Sequence, residues 1–356
     1  MRALMEKLLA GTALTCAEYA ELIGHWRDVD RAALFDAARA ACDRVYGKDV
    51  YLRGLIEISN YCKNDCRYCG IRRGNARAER YRLGPDEILD CCRRGYAHGL
   101  RTFVLQGGED PWFTAARVES LVREIKERYP DCAVTLSLGE HPYESYAAWR
   151  RAGADRYLLR HETADAVHYA RLHPAPLTLE NRMRCLQDLK RLGYQVGAGF
   201  MVGSPGQTAA ALACDLCYLR ELRPQMVGIG PFIPHHDTPF ADEPAGDAEL
   251  TLFMLALTRL LLPGALLPAT TALNTVAGDG LERGILAGAN VVMPNLTPPR
   301  QRQRYLLYDN KTTAPVEQID AITARIEALG YRVAACRGDS RAETLYYPLK
   351  GKAGPA

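Results

Sequence analysis

From residue 52 onward the chain repeats one order of hydrophobic and polar positions. A short apolar run is followed by a polar loop, a stretch with helical spacing, a glycine and the next apolar run. The runs cover 52–58, 102–105, 134–138, 156–159, 196–201, 226–229, 267–271 and 290–293, eight in all. Helical patterns such as 85–98 and 115–128 lie between them, the second with Val118, Leu121, Val122 and Ile125 on one face. Gly99, Gly153, Gly193, Gly288 and Gly330 each end a helical pattern just before an apolar run, where a left-handed C-cap is wanted. Pro85 and Pro142 fall where a first helical turn tolerates proline. Eight alternating strand and helix units with buried strands predict an α/β chain folded as a (β/α)8 TIM-type barrel. An open doubly wound sheet is the alternative on pattern alone.

The segments before and after this repeat are helical. Residues 1–50 form a leading segment, with a capping-box signal at Thr15 and Glu18 and an alanine-rich amphipathic stretch over 32–45. The barrel is expected over 51–310. A helix over 316–329 and a short run over 332–335 close the chain within 311–356. No Pro/Ser/Gly-rich linker or block of charge marks a second domain.

Composition narrows the classes of function. The 356 residues are 48% hydrophobic and 24% charged with a formal charge of +3, a globular balance that indicates no nucleic-acid or anionic-membrane surface. The greasiest stretch, 260–268, is too short to span a bilayer and is interrupted by Pro263-Gly264. No signal-peptide pattern opens the chain, and a cytoplasmic protein is expected. Twelve cysteines in such a protein are expected to be reduced. Cys214 and Cys217, a C-x2-C inside a helical pattern, read as buried helix thiols.

Chemistry concentrates directly after the first apolar run. Cys62, Cys66 and Cys69 stand in C-x3-C-x2-C spacing, with Tyr68 before the last of them. Three thiolates on one loop can each hold one iron of a cubane cluster, leaving the fourth iron open to a small molecule. A zinc site is the alternative, but structural zinc usually takes four ligands in paired units and no second pair sits nearby.

In a barrel, ligands gather at the C-terminal ends of the strands. After the second run come Gln106, Gly107, Gly108 and Glu109, where two glycines let the backbone approach a ligand and its carbonyls meet an ammonium group. A plain turn is the other reading of that pair. Ser137 and Glu140 follow the third run. Arg160, His161 and Glu162 follow the fourth, a costly set of titratable groups unless paired or bound to ligand. Arg182 begins the next helix and is placed to meet Glu162, so a structural ion pair at the rim is also open. His235-His236 reads as a rim loop, because no carboxylate lies at ligand spacing. Thr270, Thr271, Met293, Tyr305 and Tyr308 fall at the last strand ends, for packing or for a polar substrate.

The cysteine loop resembles the signature of the radical S-adenosylmethionine (SAM) superfamily. The wider stretch 57–75 is similar to one branch, the HydE maturases of [FeFe]-hydrogenase, as are the blocks at 105–111, 135–140, 153–164, 197–207, 226–234, 268–272 and 289–295. The resemblance implies one 4Fe-4S cluster on Cys62, Cys66 and Cys69, catalytic through that cluster. It implies SAM held near Tyr68, Gln106, Gly107, Gly108, Glu109 and Ser137, with Arg160, Glu162 and Arg182 at its carboxylate and ribose. Cleavage of SAM to a 5′-deoxyadenosyl radical would act on a small organometallic substrate, an iron–cysteine carbonyl/cyanide complex from the partner maturase HydG. Arg156, Thr270, Thr271, Met293, Tyr305 and Tyr308 would line that chamber. Some relatives carry three more cysteines past residue 308 for an accessory cluster. Here 309–329 has none and Cys336 stands alone, so no accessory cluster is expected. A methylornithine-synthase-like or biotin-synthase-like enzyme on a similar barrel, or a non-catalytic Fe–S carrier, are the rival readings. The electron donor is not named by any residue.

Overall fold

The computed structural model describes residues 1–341; the remainder of the expected closing segment, 342–356, lies outside the described residues. Nine strands are described: β1 (Asp49–Leu52), β2 (Gly54–Ser59), β3 (Thr102–Gly107), β4 (Ala133–Ser137), β5 (Arg156–Leu158), β6 (Gln195–Val202), β7 (Met226–Pro231), β8 (Val291–Val292) and β9 (Arg332–Val333). Strands β2 to β7 form a six-stranded parallel sheet in chain order, and β8, β1 and β9 form a second, three-stranded one. Single backbone bridges join the two into a closed ring. Met226 pairs with Leu266, Pro268 with Val291, and Leu55 with Asn295. The expected barrel is therefore present, sealed on one side by short pairings in place of full strands.

Two of the eight expected strands differ in detail. The run 52–58 is split at Arg53, whose amide bonds Val292 O at 2.9 Å, so that β1 pairs with β8 and β9 while β2 begins the main sheet. The run 267–271 is not a strand. Pro268 lacks a donor for a ladder, and Thr270 caps the helix Thr271–Ala277 through a bond from the Leu273 amide.

The leading helices Arg2–Leu9, Cys16–Gly24 and Arg31–Tyr46 pack on the outside of the barrel. The capping box at Thr15 forms, with bonds of 2.7 Å and 3.2 Å to and from Glu18. The expectation of reduced thiols needs one correction. Cys16 and Cys217 are joined in a disulfide, because the helix Cys16–Gly24 lies on Ala209–Leu222 and brings their Cα atoms to 6.0 Å. Cys214 keeps a free, half-buried thiol.

After the helix Ile319–Ala328 and β9, the tail runs beneath the barrel. Arg337 O accepts from Thr102 Oγ1 at 2.9 Å and from Arg156 at 2.8 Å, while Arg53 donates to Gly338 O at 3.3 Å. All three donors stand at or before the first residue of a strand. The tail thus closes the N-terminal end, and the opposite end is left for ligands. Among the described residues, no helix is long and apolar enough to cross a membrane.

Candidate active site at the cysteine loop

The cysteine loop leaves the C-terminal end of β2 without regular structure, so other segments must satisfy its backbone. Arg80 does much of this: its guanidinium donates to the carbonyls of Asn60 (2.5 Å), Ile71 (2.8 Å), Arg72 (2.7 Å) and Asn75 (3.1 Å). The amide of Lys63 bonds Glu109 O, that of Arg67 bonds Leu172 O, and that of Gly70 bonds Leu307 O, at 2.8–2.9 Å. Close approach makes Gly108 necessary. A Cβ there would run into Tyr61 O and come within 2.8 Å of Cys62 Cβ. Asp110 anchors the same turn, accepting from Ser59 (2.7 Å) and Arg82 (2.6 and 3.0 Å).

Cys62, Cys66 and Cys69 are all free thiols. Burial, then the charge of Cys62, pushes Cys69 up to about 12. Burial, and then its two partner cysteines, holds Cys66 well above the usual thiol range. Such a trio ionises only around a cationic centre. Among the described residues, the one set of three donor groups lying within 4.8 Å of one another is His235, His236 and Asp309, so the thiols are spread wider. A single zinc at about 2.3 Å from each sulfur would draw them closer than that. A cluster offering each thiolate its own iron suits the spacing and the all-sulfur donor set.

A cavity of about 260 Å³ opens beside the loop. Tyr68, Cys69, Gln106, Gly107 and Ser137 contribute to its wall, as do Arg160, Glu162, Arg182, Tyr305 and Tyr308. Nη2 of Arg160 lies 2.9 Å from Glu162 Oε2. Both atoms, with Arg160 Nε, are nonetheless buried without an aligned hydrogen bond, which leaves them available to a polar ligand. Glu162 sits at φ 65°, a left-handed conformation uncommon for a non-glycine residue.

Several expected residues are placed otherwise. Arg182 bonds Glu140 and the carbonyl of Arg160 (2.6 Å), not Glu162. Burial opposes its charge, but Tyr169 and Glu140 hold the guanidinium above its ordinary value. The Glu109 carboxylate turns away from the cavity: it accepts from the Glu140 amide at 2.9 Å and pairs with Lys63 at 3.1 Å. Thr270, Thr271 and Met293 border a separate cavity of about 180 Å³ shared with Ala321, Ile322 and Arg325. Arg156 opens β5 at the far end of the barrel, fully buried and bonded to Asp339 at 2.6 Å.

Other participants come together only through the fold. His161 Nε2 lies 3.2 Å from Asp215 Oδ1; burial pushes the histidine down to about 3 and the aspartate up, so the contact is neutral. The carboxylate missing beside His235-His236 in sequence arrives from Asp309, 2.7 Å from His236 Nδ1, while His235 Nδ1 accepts the Asp237 amide at 3.0 Å. The ground for reading the pair as a plain rim loop is thereby removed: His235, His236 and Asp309 bring three donor atoms within 4.8 Å of one another.

Residues 56–213 match the profile of the Radical SAM superfamily. The chain is 51% identical over 279 residues to the [FeFe] hydrogenase maturase subunit HydE of Thermotoga maritima, covering 78% of this chain and 79% of that protein. It is 28% identical over 333 residues to the 3-methylornithine synthase of Methanosarcina barkeri, with 92% and 93% covered. Of solved structures, methylornithine synthase (PylB) superposes with a TM-score of 0.79 at 27% identity, over 93% of this chain and 97% of that one. HydG from Carboxydothermus hydrogenoformans does so with 0.78 at 19% identity, over 95% and 80%, a likeness of fold.

Proposed function

We infer the function of this chain from its family: it belongs to the radical SAM superfamily and, within it, to the HydE maturases. It is a radical SAM enzyme of [FeFe]-hydrogenase maturation, and the family implies a 4Fe-4S cluster and SAM. Our reading goes further. Cys62, Cys66 and Cys69 would hold the cluster, the single one in the protein. Gln106, Gly107 and the backbone at Gly108 would receive the SAM ammonium, and Arg160, Glu162 and Ser137 its carboxylate and ribose. When bound, cluster and SAM supply a carbon-centred radical by one-electron cleavage of the sulfonium. The protein's part is to orient SAM, exclude water and carry the substrate in the cavity that Tyr305 and Tyr308 line together with Cys69. The substrate is the iron–cysteine carbonyl/cyanide complex made by HydG, taken up in the cytoplasm alongside the other maturases.

One observation carries this reading: three free, half-buried thiols share one loop, and Cys69 among them lines a cavity that the Arg160–Glu162 ion pair also lines. The test is anaerobic reconstitution, reduction with dithionite and supply of SAM, with the synthetic iron–cysteine complex set against lysine. Product formed from the complex supports the reading. Turnover of lysine in its place would move the chain to the methylornithine-synthase chemistry. Iron and sulfide binding without SAM cleavage would make it a carrier.

A further inference from the structure

Residues 304–312 cross the mouth of the barrel as a strap clipped along its length. Arg304 O accepts from Asn60 Nδ2 (2.8 Å), Leu307 O from the Gly70 amide (2.8 Å), and the Asp309 amide donates to Pro234 O (3.0 Å). The Thr312 amide bonds Thr275 Oγ1 at 3.2 Å. These clips all run through backbone atoms of the strap. The exception is Lys311, whose ammonium pairs with Glu57, their side chains 6% and 0% exposed. Nζ also donates to Tyr305 O at 2.9 Å and lies 4.7 Å from the centroid of that tyrosine's ring.

Glu57 is in register with Gln106 on the neighbouring strand, so the two share the lumen face. Gln106 lines the cavity and reaches the Tyr305 hydroxyl at 3.4 Å. Tyr305 is therefore held from both ends, by the ammonium at its carbonyl and ring and by the Gln106 amide at its phenol. Burial, then Glu57, pushes both the Tyr305 and Tyr308 phenols upward, which places the carboxylate close behind the cavity wall. Stability alone is a poor reason for such a pair, because apolar residues of similar volume usually hold two segments together as well or better. Its other Oε atom has no partner.

We propose that Glu57 and Lys311 are positioning residues for substrate: their buried ion pair fixes the strap and so aims Tyr305 and Tyr308 into the cavity. The proposal rests on the reading that this cavity takes the substrate. The test compares E57Q, K311M, K311R and the double variant E57Q/K311M with wild type in two ways. In apoprotein, hydrogen exchange at the amides of 305–311 is expected to run at least about tenfold faster in E57Q, K311M and the double variant, and near wild type in K311R. In reconstituted enzyme, the same three variants are expected to raise KM for the iron–cysteine complex and to make more 5′-deoxyadenosine per product, with K311R recovering both. The double variant leaves no unpaired buried charge and keeps the test open where a single variant fails to fold. Wild-type exchange, KM and product ratio in the double variant would overturn the proposal. If wild type itself ignores the iron–cysteine complex, the functional reading fails, and the exchange data still decide whether the pair sets the strap.

Discussion

Arg182 closes on Glu140 through Nε, and its Nη1 reaches the carbonyl of Arg160 at 2.6 Å. The pair thereby ties the helix Leu179–Arg191 to the loops after β4 and β5, the two that carry the polar wall of the cavity. Both side chains are less than a tenth exposed. Glu140→Ala leaves a buried guanidinium without its carboxylate, and truncation of this kind costs about 3–5 kcal/mol. Urea unfolding of the apoprotein should show that loss, and SAM affinity should fall with it because Arg160 loses its support. Unchanged stability would mean that Arg182 finds another counter-charge.

Gly107 and Gly108 differ in what a side chain would meet. At Gly107 the nearest atoms to an added Cβ are Ile58 Cγ1 at 3.3 Å and Ser59 O at 3.4 Å, contacts that small shifts relieve. At Gly108 the obstacle is the backbone of Tyr61 and the Cβ of Cys62 itself. Gly108→Ala should cost about 1–3 kcal/mol as an overpacking change and displace the first cluster ligand. Iron bound per chain after reconstitution should drop in Gly108→Ala and be retained in Gly107→Ala. Equal loading in both would show that the loop tolerates the push.

The barrel was legible because period-2 and helical patterns alternate so regularly, and the cysteine loop because its three thiols are adjacent in sequence. What escaped depends on partners far apart in the chain. Arg80 offers no local sign that it collects four carbonyls, and Arg182, placed by sequence to meet Glu162, finds Glu140 from the preceding strand's loop instead. Asp309 reaches His236 across 73 positions, and Cys16 reaches Cys217 across 201. Arg156 sits in an apolar run of the right kind, but its place as the first residue of β5 puts it at the closed end. Strand ends, not strand membership, decide which residues meet the ligand.

Histidine burial gives the apoprotein a pH dependence of definite sign. Burial first, and then the charge of Arg182, depresses His173 to about 3 from an ordinary 6.5; its ring stacks on Tyr169 and contacts the Tyr68 hydroxyl at 3.3 Å. Between those two values the unfolded chain holds the extra proton, so stability falls as pH drops below 6.5 and the loss levels off near 3. For this one residue, going from about pH 7.5 to about 5.5 should cost roughly 1.4 kcal/mol. Denaturant titrations at the two pH values, repeated on His173→Phe, should show a smaller difference in the variant. An identical difference would place the proton uptake elsewhere, for instance on His161, which burial also holds at about 3.

The central claim is that Cys62, Cys66 and Cys69 are the protein's whole share of the cluster's coordination, and that SAM takes the open iron. Electron paramagnetic resonance of the reduced, reconstituted protein, recorded with and without SAM, tests it most directly. The account predicts a 4Fe-4S signal reshaped by SAM and lost altogether in Cys66→Ala. A spectrum indifferent to SAM, or a cluster that survives that substitution intact, would contradict it.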